Sequence, residues 1–107
     1  MTTFQDRERS KKAKFERDEE LRFRIQARRD RLLAQWAASR MGLSDGETES
    51  YVGDVVRADF EEPGDEDVIR KVLGDMLNAA IEIEEDEVRA VFADKQHEAR
   101  RMLAGDA

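Results

Sequence analysis

Residues 4–40 read FQDRERSKKAKFERDEELRFRIQARRDRLLAQWAASR. The stretch holds no Gly or Pro, and Ile25 is its only β-branched residue, so nothing in it resists an α-helix. A continuous helix here would be about 55 Å long at roughly 1.5 Å per residue, far longer than so small a chain needs for packing. Part of it is therefore expected to project from the body. It carries 12 Arg+Lys against 7 Asp+Glu, whereas residues 41–107 carry 7 against 19. A basic arm joined to an acidic body implies a partner for one of the two halves.

Apolar residues are unevenly spread along the stretch. Leu21, Ile25, Leu32, Leu33 and Trp36 fall near one helical stripe, with Arg28 and Arg29 on it or beside it, so this half is expected to dock. From Phe4 to Glu20 only Phe4, Ala13 and Phe15 are apolar, too few to offset roughly 1 to 2 kcal/mol of backbone entropy per ordered residue. This segment is expected to be disordered or frayed when alone. The chain thus divides into a mobile segment, residues 1–20, and a bundle domain, residues 21–105.

Working outward, Gly42 in Met41-Gly42-Leu43 sits where a left-handed C-terminal cap is wanted. Ser44 and Glu47 have the spacing of a capping box, so a second helix is expected from Ser44 to about Phe60, with Tyr51, Val52, Val55, Val56 and Phe60 as its core candidates. Glu61-Glu62-Pro63-Gly64 breaks the chain. A third helix then opens with Asp65, Glu66 and Asp67 at the positive end of its dipole. Its apolar face is expected to comprise Val68, Ile69, Val72, Leu73, Met76, Leu77 and Ala80, with Gly74 admitting a close helix contact. Ile81-Glu82-Ile83 interrupts the periodicity, and Val88, Val91, Phe92, Ala99, Met102 and Leu103 mark a last helix from about Glu84 to Ala104, ended by Gly105. The fold class is all-α, a small four-helix bundle with an extended or disordered N-terminal helical arm.

Composition narrows the function. The absence of Cys removes disulfides, thiol nucleophiles and thiolate metal sites. No run of 18 apolar residues occurs, and MTTFQDRERS lacks the apolar core of a secretory signal, so neither membrane insertion nor export is expected and the cytoplasm is the default. The single His97 has Asp94 and Arg101 at helical spacing but no companion nucleophile, and is expected to be an ordinary surface or half-buried residue. Asp65, Glu66 and Asp67 with Glu61 and Glu62 lack the pattern of a calcium loop; dipole complementation explains them better. The run Arg22, Arg24, Arg28, Arg29 and Arg31 could attract phosphates, yet interspersed acids and a net charge of −7 argue against nucleic acid.

Two readings of the arm stand side by side. It is a charged helix supported by pairs such as Asp6 with Arg9, Lys12 with Glu16 and Asp18 with Arg22. Or it folds in a partner's groove, with Phe4 and Phe15 as anchors and Arg or Lys on the rim.

The residues also carry a family likeness. Thr3-Phe4-Gln5-Asp6-Arg7-Glu8-Arg9, Ala13-Lys14-Phe15, Glu20-Leu21-Arg22-Phe23-Arg24, Ala27-Arg28-Arg29 with Arg31-Leu32-Leu33, and Trp36-Ala37-Ala38 resemble the ζ subunit of the α-proteobacterial F-type ATP synthase. The likeness continues through Gly42-Leu43-Ser44, Val55-Val56-Arg57-Ala58-Asp59-Phe60 and Gly64-Asp65-Glu66-Asp67-Val68, covering most of the chain. What it implies is a non-enzymatic inhibitor of ATP hydrolysis whose N-terminal segment inserts between α and β subunits of the catalytic head, near γ, and blocks rotation in the hydrolytic direction.

Carried onto this chain, the inhibitory segment is roughly Thr2 to Glu19, with Phe4, Gln5, Arg7, Arg9, Lys14 and Phe15 matching the pattern. The resemblance also implies adenine-nucleotide binding by the bundle, at residues it does not assign; no cofactor is expected to be required, and the residues themselves lead to no expected metal site. The free protein is expected to be a monomer, held at the inner face of the plasma membrane only through the ATP synthase. Lys11 and Lys12 depart from the aromatic and acid common in the family, and Asp30 stands where Asn is common. The alternative is a helical regulatory adaptor, or a nucleotide-sensing module, with another protein partner.

Overall fold

The computed structural model describes the backbone of residues 4–62 and 64–104 and the side chains of 19–62 and 64–103. Four helices follow one another: α1 (Phe4–Met41), α2 (Asp45–Glu61), α3 (Asp65–Asn78) and α4 (Glu85–Ala104). Pro63 and Gly105, expected as a breaker and a helix end, lie outside the described residues, as do the side chains of Asp6, Arg9, Lys12, Glu16 and Asp18 from the expected ion pairs. So does the packing that would decide the expected disorder of the segment before Glu19.

Local chemistry sets the boundaries. Gly42 adopts φ +73°, and the amides of Gly42 and Leu43 bond the carbonyls of Ser39 and Ala38 at 3.2 and 3.0 Å, a Schellman closure of α1. Ser44 caps α2 as expected: its hydroxyl accepts from the Glu47 amide and the Glu47 carboxylate accepts from the Ser44 amide. The second bond holds the Glu47 carboxyl below the usual range. Gly64 precedes α3 without a side-chain cap, and Asp65, Glu66 and Asp67 occupy the first turn. Glu84 offers its carbonyl to the amides of Glu87 and Val88 at the start of α4.

The core gathers Leu33, Ala34 and Ala37 from α1, Val52 and Val55 from α2, Val68, Ile69, Val72 and Met76 from α3, and Val88 from α4. Helix α1 packs against all three others. Its buried face differs from the expected stripe: Arg29, Asp30, Leu33, Ala34, Ala37 and Ala38 are inside, while Leu32 and Trp36 are half-buried.

Three expectations for the core are corrected. Phe60 is exposed and stacks on Phe23. Leu77 is exposed, and Ala80 has left the helix with φ +61°. A Cβ at Gly74 would meet nothing within 4 Å, so no close helix contact requires that glycine.

Candidate functional site

Helix α1 has 38 residues against 20 or fewer in any partner. At about 1.5 Å per residue it outruns them by roughly 25 Å. Phe4, Gln5, Arg7, Arg9, Lys14 and Phe15 lie on its N-terminal turns, with side chains outside the described residues. What the bundle fixes is therefore the direction of the helix that carries them, and the fixing is done around Arg29.

Arg29 is 4% exposed. Its Nε donates to Asp30 Oδ1 at 3.1 Å and its Nη2 to Asp59 Oδ2 at 2.8 Å, the same nitrogen lying 3.0 Å from Asp30 Oδ1. Nη1 donates to Gln96 Oε1 at 3.1 Å and Asp65 Oδ1 at 3.3 Å. The guanidinium carbon lies 4.4 Å from the centroid of the Phe92 ring, within cation–π range. One side chain of α1 thus reaches α2, α3 and α4 together. Gln26, one turn earlier, donates to Asp59 Oδ2 at 2.7 Å.

Asp30 and Asp59 are buried with it, at 0% and 3% exposure. Burial, and then the neighbouring Asp59 carboxyl, push the Asp30 carboxyl up to about 8 against the pull of Arg29. The sequence reading placed Arg29 at the docked stripe but missed both aspartates. The available signal was Arg29-Asp30 in the middle of an apolar stripe, where opposite charges enter a core only as a group.

Further out, the rings of Phe23 and Phe60 stack at 5.8 Å, exposed at 55% and 43%. Arg22 and Arg24 are exposed beside Phe23, and Arg24 pairs with Glu20 at 2.9 Å. Arg22, Gln26, Arg29, Asp65, Gln96 and Arg100 line an open groove of about 530 Å³. Asp65 and Glu66 face Arg29 and Arg89, and among the described residues no acidic or His cluster is arranged to hold a metal ion. His97 is exposed on α4. No described helix is long and apolar enough to cross a membrane.

The chain has recognisable relatives. A family model described as ATPase inhibitor subunit zeta matches residues 1–102. A protein solved by solution NMR is 40% identical, with a TM-score of 0.69 over 81% of this chain and 99% of its own. No curated protein matches.

Proposed function

The chain belongs to the ATPase inhibitor subunit zeta family, and from that membership we propose that residues 21–105 anchor to the F-type ATP synthase while the segment from Thr2 to Glu19 inhibits it. The family makes it a non-enzymatic regulator. In the proposed mechanism the segment inserts between α and β subunits of the catalytic head, near γ. There it obstructs rotation in the hydrolytic direction.

The single observation that supports this reading is the build of α1. Its second half is tied into three other helices through Arg29 and the alanine face, while the whole helix is 38 residues long. A rigid lever needs a fixed end, and the Arg29 cluster provides one. The first half has cations and two phenylalanines but little other apolar surface, which suits a segment that gains order from contacts with a partner. Phe4 and Phe15 act as apolar anchors, with Gln5, Arg7, Arg9 and Lys14 as polar contacts around them.

Family resemblance further suggests that the bundle binds adenine nucleotide. The groove bearing Arg22 and Arg100 has the donors a phosphate would use. In this proposal the free protein is a monomer whose only link to the membrane is through the ATP synthase.

Deleting residues 1–19 tests the central claim. The shortened protein should fold, keep its unfolding midpoint within a few degrees and no longer inhibit ATP hydrolysis by the cognate ATP synthase. Undiminished inhibition would reject the mechanism.

A further inference from the structure

Beneath the groove lies a charge imbalance that inhibition by the arm does not explain. Asp30 Oδ1 is held by Arg29, but Asp30 Oδ2 is buried and has no hydrogen-bond partner. The groups facing the cluster come from every helix. Gln26 and Arg29 lie on α1 and Asp59 on α2. Asp65 approaches Arg29 from α3, and α4 presents the Gln96 amide and the Phe92 ring. One guanidinium therefore serves two buried carboxyl groups and a third, largely exposed one.

Asp30 and Asp59 converge on the same Nη2, at 3.0 and 2.8 Å. Two ionised carboxylates so placed repel each other, and neither can donate a hydrogen bond. A proton on one of them removes a buried negative charge and supplies the donor that Asp30 Oδ2 lacks.

We propose that Asp30 and Asp59 form a proton-binding site, in which one proton joins the two carboxyl groups at neutral pH and its release to solvent at alkaline pH loosens α1 from α2. The bond lost is a single O–H···O contact inside the bundle. The charge gained is a second buried carboxylate with half a guanidinium to balance it. Because Arg29 also reaches α3 and α4, the loosening spreads from the α1–α2 seam to the whole fixed end of the long helix. The burial of Asp30 favours the protonated form in the same direction. This site stands on the bundle alone and does not require that the arm inhibit anything.

Carboxyl-carbon NMR of the full-length free protein, labelled in its aspartates and titrated from pH 4 to pH 10, tests the site directly. The Asp30–Asp59 pair should release a proton near pH 8, an apparent value of the pair, with amide shifts around residues 26–33 and 55–60. Titration of both carboxyls below about pH 5 would overturn the proposal, since carboxylates near their ordinary values hold no proton at neutrality. Asp30→Asn provides a second readout. Its amide has the shape of a protonated carboxyl and donates to Asp59 at every pH, so the alkaline transition should vanish; its survival at full amplitude would also overturn the assignment. The wild-type titration decides the question even if the variant does not fold.

Discussion

Ala80 holds φ +61°, a region that costs an L side chain roughly 1 to 2 kcal/mol and costs glycine almost nothing. The reason it stays there is the closure of α3: the amides of Ala80 and Ile81 bond the carbonyls of Leu77 and Met76, both at 3.0 Å, in the same Schellman pattern that Gly42 completes for α1. Ala80→Gly should therefore stabilise the fold by about 0.5 to 1 kcal/mol, the relief of strain being partly cancelled by the freer unfolded chain. Gly74 is the opposite case, a glycine inside α3 with open space where a Cβ would go. Gly74→Ala should add about 1 kcal/mol through helix propensity. Urea unfolding checks both: each variant should raise the midpoint with an unchanged slope. A lowered midpoint for Ala80→Gly would mean that the left-handed turn is not strained.

Helix ends were readable in the sequence where a side chain announces them. Ser44 with Glu47, and Gly42 before Leu43, fix the α1–α2 turn by chemistry local to a few residues. The end of α3 was less readable, because an alanine does a glycine's task there and the apolar pattern ran on through Leu77 and Ala80. Within α1 the sequence marked the docked half but misplaced its centre, since period alone does not distinguish Leu32 and Trp36 from Ala34 and Ala37. Nor could it reveal that Asp30 and Asp59 meet, 29 positions apart in the chain. For the inhibitory half the family pattern in the residues carried the reading. The physical consequence of dividing α1 this way is that its two halves should respond differently to mutation. Between Phe4 and Glu20 only Phe4, Ala13 and Phe15 are apolar, too few for packing of the segment's own, so Phe15→Ala should weaken binding to the ATP synthase by ten-fold or more, the order of about 2 kcal/mol expected for a buried aromatic anchor. The thermal midpoint of the free protein should stay within about 2 °C. A large fall in that midpoint would place Phe15 in the free protein's own packing and remove it from the proposed interface.

Charge links these pieces across the molecule. The chain carries a net −7 at pH 7 and an isoelectric point near 4.8, so raising the pH through neutrality adds self-repulsion to the compact state. The buried pair acts in the same direction. Asp30 sits at about 8 in the fold against an ordinary 3.8, so the folded state holds an extra proton between those values. Its contribution is complete below the lower value, declines as the pH rises and is gone above the upper one. Glu47 and Glu66 have the opposite sign: hydrogen bonds from Ser44 and Arg89 hold them low, and their stabilisation is lost as the pH falls below about 4.5. Stability should therefore peak near pH 5 and decline steadily to pH 8. Salt separates the two alkaline causes, because at 0.5 M the Debye length is about 4 Å and surface repulsion is largely screened while a buried pair is not. Differential scanning calorimetry at pH 5 and pH 8, each with and without 0.5 M NaCl, should show a midpoint lower at pH 8 that salt restores only in part. In Asp30→Asn the portion resistant to salt should disappear. Full restoration of the wild type by salt would assign the whole decline to the surface and leave the buried carboxyls without a part in it.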